Sequence, residues 1–197
     1  LKKWAWKKSL IFGAASGLMV VISFLPFYNP LFFNNLQNSL GLYFKKFEFN
    51  ASLYYIVREY GFWSKGYNWG PLIPPYLNGI VILGIVGLFF SKKSVQPTTD
   101  FFKNCLWAFS IYLFCATTVH PWYGAFPVFL CLFTHWRFPI VWSYFIFLSY
   151  VHYSYPQPTE NYWLIGVEYL AVLMYIIFEA KSYKIRQFRR LLSSLLT

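Results

Sequence analysis

SLIFGAASGLMVVISFLPFY, residues 9–28, runs for twenty positions without a charge. As a helix it would be about 30 Å long, the thickness of a bilayer's hydrocarbon core. Lys2, Lys3, Lys7 and Lys8 stand just before it. Five further apolar segments follow: Pro71–Phe90, Asn104–Thr118, Trp122–His135, Phe138–Tyr153 and Tyr162–Ala180. The whole chain of 197 residues is 58% hydrophobic and 25% aromatic, and only 12% of it is charged. A soluble domain carries about 25% charged residues, enough to clothe its surface; this chain lacks them. The expected fold class is therefore all-α: a polytopic transmembrane helix bundle of about six spans, with interfacial helices on the extracytoplasmic side. The third to fifth segments are short for full spans, so tilted or incomplete crossings are open. One transmembrane domain is expected over 1–197, with an outer interfacial segment at 29–70 and a basic tail at 181–197. The chain opens at Leu1, inside a basic stretch, and is expected to be the C-terminal part of a longer protein.

The formal net charge is +11. On a soluble protein that excess suggests nucleic acid. Here its placement gives another reason. With a cytoplasmic N-terminus and six crossings, thirteen of the seventeen basic residues fall on the inner face, among them Lys92, Lys93, Lys103, Arg137, Lys181, Lys184, Arg186, Arg189 and Arg190. That is the positive-inside pattern, so no nucleic-acid partner is expected. The expected location is the inner, cytoplasmic membrane, multi-pass, with both ends inside and the active face outside. Cys105, Cys115 and Cys131 lie in apolar runs without metal-ligand spacing and read as buried thiols.

The outer face then carries the long segment Asn29–Gly70, the turn Val119–Tyr123 and the stretch Ser154–Asn161. In the first, Leu36, Leu40, Tyr43, Phe44 and Phe47 fall on one helical stripe. Leu53, Ile56, Val57 and Tyr60 form a second, ending at Gly61. Two short interfacial helices are expected, hinged near Glu48–Asn50, with Asn50 as N-cap. Glu48 is one of six acidic residues in the chain. It reads either as a solvated partner of Lys45 or Lys46 or as a carboxylate held between aromatic walls at a pocket. Arg58 and Glu59 read as surface or pocket residues. Asn50-Ala51-Ser52 matches the glycosylation acceptor pattern, a weak signal at a helix start.

His120-Pro121-Trp122-Tyr123 is the second outer feature. Trp122 and Tyr123 suit an interfacial aromatic belt. His120 adds a titratable group at the lip of the bundle, able to meet a phosphate or a sugar hydroxyl. His135 and His152 lack such a context. No metal-ligand spacing, nucleotide loop or nucleophile elbow occurs, so no cofactor and no metal are expected.

Two stretches together carry a family resemblance. SLGLYFKKFEFNASLYY, residues 39–55, followed by His120-Pro121-Trp122-Tyr123, resembles bacterial integral-membrane glycosyltransferases of the GT-C superfamily. The similar members are mannosyltransferase-like and use polyprenyl-phosphate sugars. The resemblance runs from about Trp6 to Glu179. It implies a multi-span helical fold and inverting transfer of a mannose-like sugar to an extracytoplasmic acceptor. A lipid-linked sugar donor and membrane lipids are the implied partners. Glu48, Asn50, Tyr54, Tyr55, Arg58, His120, Trp122 and Tyr123 are the implied substrate-binding residues. Phosphate contact would fall to Lys45, Lys46, Arg58 or His120. The family's acidic base in an early outer loop has no counterpart here: Asp100 is the only Asp and falls inside. The catalytic residue is thus unknown and expected upstream of Leu1.

Two other readings stand beside this one. A transporter or flippase-like protein would use a charged residue within a span, for which Glu168 and Glu179 are candidates. A non-catalytic assembly subunit would use its aromatic side chains only for packing. The sequence leaves sugar, acceptor, linkage and oligomeric state open.

Overall fold

The computed structural model describes residues 6–90, 97–154 and 160–195. Among these the fold is helical: eight α-helices joined by short 3-10 turns, with no named strand. The chain forms two compact units, residues 1–46 and 47–197, and the boundary cuts through the 29–70 segment.

The first unit is a helical pair. Helix α1 (Trp6–Phe24) continues into a 3-10 turn at Leu25–Phe27. Helix α2 (Pro30–Lys46) begins where Asn29 and Pro30 dictate. The Asn29 side-chain oxygen accepts from Leu31 N at 2.9 Å, and Pro30 takes the first helical position, where no N–H is needed. Phe32 packs on Phe24 and Phe27 at the corner.

The second unit holds α3 (Leu53–Lys65), α4 (Ile73–Phe90), α5 (Pro97–Cys115), α6 (Ala125–Cys131), α7 (Phe138–Phe145) and α8 (Tyr162–Leu195). From α4 to α8 each helix packs on the next in the chain, and α3 lies against α4 and α5. The core is continuous, from Tyr54 and Tyr55 on α3 through Leu106 and Leu113 on α5 to Trp142 on α7 and Tyr169 and Val172 on α8.

Two helical stretches are long and apolar enough to cross a membrane, Trp6–Phe27 and Tyr162–Ile185; Ile73–Leu88 is apolar but shorter. Among the described residues the helical class is shown, and a bundle of about six spans is not. In the fourth segment a 3-10 turn at Pro121–Gly124 leads into α6, whose seven residues extend only about 10 Å. The fifth becomes the eight-residue α7, which changes to a 3-10 helix at Ile146–Ser154. The exterior is nonetheless apolar: Leu83 on α4 is 72% exposed and Phe178 on α8 is 61% exposed.

Helix α3 corrects the sequence reading at its end. It ends at Gly66, not Gly61. Gly66 has φ +76°, and its N–H closes the helix on Phe62 O at 3.0 Å. Gly61 is interior, and its missing Cβ makes room for the Trp69 ring, which a Cβ would meet at 2.8 Å. The stripe Leu53, Ile56 and Tyr60 faces outward, while Tyr54, Tyr55 and Gly61 are buried. Hydrophobicity marks a face that avoids water; it does not say whether protein or lipid covers it.

Candidate functional site

Phe47-Glu48-Phe49 is extended rather than helical, so alternate side chains point to opposite sides. Phe49 forms a single β-bridge with Thr118. Its N–H donates to Thr117 O at 3.1 Å, and its carbonyl accepts from Val119 N at 2.8 Å. Thr118 Oγ1 adds a bond to Phe47 O at 3.1 Å. The two stretches singled out in the sequence, near 48 and near 120, are thus joined directly through backbone.

On one side of this extended piece lies an aromatic cluster. The His120 ring stacks on Trp122 with centroids 4.2 Å apart and on Phe49 at 5.0 Å, and Phe47 stands 5.9 Å away. Tyr123 meets His120 edge-on at 5.5 Å. Burial among these rings pushes the His120 imidazole below its usual range. The shift favours the neutral imidazole, which can still hydrogen-bond a phosphate or a sugar hydroxyl. Trp122 remains well exposed and lines a cleft of about 330 Å³ with Val128, Phe147 and Tyr150.

On the other side lies an ionic cluster. Glu48 accepts from the Tyr54 hydroxyl and from Arg58 Nη1. Arg58 Nη2 donates to the Tyr162 hydroxyl, and Arg58 Nε and Nη2 reach Glu59 Oε1 at 3.3 and 3.0 Å. The guanidinium lies over the Tyr55 ring at 4.7 Å. Burial alone would lower the Arg58 pKa; the bond to Glu59 and the charge of Glu48 outweigh it, and the net shift is upward. Burial, and then Glu48, holds Tyr54 well above the usual phenol range, so it stays a donor. Of the two readings of Glu48, the structure supports a half-buried carboxylate with aromatic neighbours. The side chains of Lys45 and Lys46 lie outside those described.

Asn50 does not cap α3. Ser52 occupies that position, and its hydroxyl donates to Phe114 O at 2.7 Å. Asn50 is instead drawn into the bundle, 0% exposed, with φ +49°. Its amide Nδ2 donates to both oxygens of Glu168, at 3.2 and 3.1 Å, and Trp142 Nε1 donates to Glu168 Oε1 at 2.9 Å. The Asn50 N–H reaches Glu160 at 3.3 Å, and its carbonyl accepts from Tyr169 at 2.8 Å. Backbone and side chain are both held, which sustains a left-handed conformation that Asn tolerates better than most residues. A side chain so enclosed is no glycosylation acceptor. Its place is structural support behind the ionic cluster.

Three contributors escaped the sequence reading. Glu160 binds Asn50 and stands 3.6 Å from His152 Nδ1. His152 packs edge-on against Phe49 at 5.3 Å. Tyr162 closes the outer side of Arg58. For Glu160 the signal was scarcity, since it is one of six acidic residues, and four of these, Glu48, Glu59, Glu160 and Glu168, gather around residues 47–58; His152 and Tyr162 carried no such signal. Glu179 serves elsewhere, accepting from Arg137 N and Phe138 N at 2.7 and 2.9 Å at the start of α7.

Beside the ionic cluster a cleft of about 350 Å³ opens between α3 and α8. Ala51, Ile56, Ile165 and Gly166 give it apolar walls; Glu59 and Tyr162 stand in its lining on the polar side. An apolar trough that meets charge along one side is shaped for an amphiphile. No protein-family model, curated protein or solved structure matches the chain.

Proposed function

We propose that the chain transfers a mannose-like sugar from a polyprenyl-phosphate donor to an extracytoplasmic acceptor. The cleft between α3 and α8 holds the donor. The observation that carries this reading is the meeting of an apolar trough with the Glu59 carboxylate and three tyrosines, Glu59 in turn binding the Arg58 guanidinium. Isoprenoid chain fits Ile56 and Ile165, the sugar ring fits the aromatic faces of Tyr55 and Tyr162, and Glu48 acts from behind the cleft by holding Arg58. In the transfer, an acceptor hydroxyl oxygen bonds to the anomeric carbon. The bond from that carbon to the phosphate oxygen breaks, and the polyprenyl phosphate leaves with the electron pair. The acceptor proton passes to a base, and these residues act as binding groups rather than as that base.

In this reading the protein lies in the cytoplasmic membrane, its site facing outward and its basic connections inward, as the distribution of Lys and Arg favours. The exposed apolar faces of α4 and α8 support a lipid surrounding. A transport reading would need Glu168 available to cargo, whereas Asn50 and Trp142 hold it.

Membranes carrying the full-length protein and given a radiolabelled polyprenyl-phosphate mannose are expected to label an endogenous acceptor. Glu48→Gln, which leaves size unchanged but removes the charge facing Arg58, is expected to lower the rate about tenfold or more. Absence of transfer, or a rate unchanged by Glu48→Gln, would refute the reading.

A further inference from the structure

The geometry points to Glu59 as an internal stand-in for the donor's anionic head group: its carboxylate occupies the face of Arg58 where a lipid phosphate binds, and that phosphate enters by displacing it. This inference rests on the amphiphile reading of the α3–α8 cleft.

Arg58 presents two edges. The inner one, Nη1, is taken by Glu48, whose side chain is 22% exposed and is also held by Tyr54. The outer edge, Nε with Nη2, is the fork that matches a carboxylate or a phosphate. Glu59 fills it through a single oxygen, Oε1, at 3.3 and 3.0 Å. The Glu59 side chain is 48% exposed, so it is the carboxylate that water can take back. Glu59 also lines the cleft, whereas Glu48 does not.

Charge sets the order of events. One guanidinium between two carboxylates carries a net negative charge, which repels a phosphate. Once Glu59 swings out, the fork is open and the local pair Glu48–Arg58 is neutral. Glu59 and Arg58 are chain neighbours, so the carboxylate remains close and returns when the ligand leaves. The occupant is a phosphate ester on an apolar chain. Charge complementarity at the fork and the apolar trough beside it select that chemistry together.

The test uses the full chain in nanodiscs of zwitterionic lipid, with direct binding measured for three probes: a polyprenyl phosphate, the matching polyprenol and inorganic phosphate. The wild-type protein is expected to bind the polyprenyl phosphate more tightly than either other probe. Glu59→Gln is expected to tighten that binding about fivefold, the scale of an exposed ion pair removed as competitor. It is expected to leave polyprenol binding unchanged. Arg58→Gln is expected to abolish the preference for phosphate over polyprenol. Should Arg58→Gln fail to fold, Glu59→Gln alone decides. Equal or weaker binding of polyprenyl phosphate by Glu59→Gln overturns the inference, as does a preference for inorganic phosphate. No sugar is present, so sugar transfer can fail while this result stands, or succeed while it falls.

Discussion

At the scale of single residues, Asn50 decides more than Glu48 does. Its N–H, carbonyl and amide tie the 47–52 segment to Glu160, Tyr169 and Glu168. Asn50→Ala removes a donor from a fully buried carboxylate and leaves a Cβ residue in the left-handed region. The expected loss is about 3 kcal/mol. Asn50→Gly keeps the backbone relaxed while losing the amide, and is expected to cost about 1 kcal/mol less. Denaturant unfolding of both variants in micelles checks the difference. His120 makes a separate claim. Burial lowers its folded pKa below the unfolded value of 6.5, so the unfolded chain binds the proton first. Its contribution to stability is full above pH 6.5 and is lost as pH falls through the lower, folded value. Unfolding measured across that window is expected to show stability declining with acid. His120→Gln is expected to flatten the decline.

At the scale of elements, α7 is the weak member. Eight residues do not sustain a helix alone, and Glu179 from α8 satisfies two N–H groups at its start. Glu179→Ala is expected to speed amide exchange at Arg137, Phe138 and Ile140 about tenfold to a hundredfold, with α5 unaffected. The same scale shows what the sequence could and could not say. Helices stand at Pro30–Lys46 and Leu53–Lys65, where the stripes fall, except that Phe47 lies outside the first of them. The buried face of α3, Tyr54, Tyr55 and Gly61, did not follow, because these residues lie off the apolar stripe. Nor did the fourth and fifth apolar segments reveal themselves as short helices. Their average apolarity resembles a span; Pro121, Pro127 and Pro139 stand in the first turns of these short elements, and no proline marks where α6 and α7 end. The pairing of residue 49 with residue 118 has no local signature, since a single bridge depends on packing between distant elements. Arg58 with Glu48 is ten positions apart, outside the helical spacings that sequence reading tests.

At the scale of the molecule, the second unit gathers most of its rare carboxylates, from α3 and its lead-in and from α8 and its lead-in, around residues 47–58 and leaves its exterior apolar. Helix α8, with 34 residues, is about 51 Å long, more than the roughly 30 Å of a hydrocarbon core. Its excess carries Lys181, Lys184, Arg186, Arg189 and Arg190, the composition of a segment lying against anionic headgroups. The other end of α8 contributes Tyr162 and Ile165 to the cleft beside Glu59. The central claim is that this cleft holds a lipid-linked sugar. Photo-crosslinking with a polyprenyl-phosphate mannose that carries a diazirine on its isoprenoid chain tests it most directly, the label being mapped by mass spectrometry. The account expects adducts on Ile56, Ile165 and Gly166, competed away by unlabelled donor. Label confined to the exposed faces of α4 and α7, with those three residues unmodified, would contradict it.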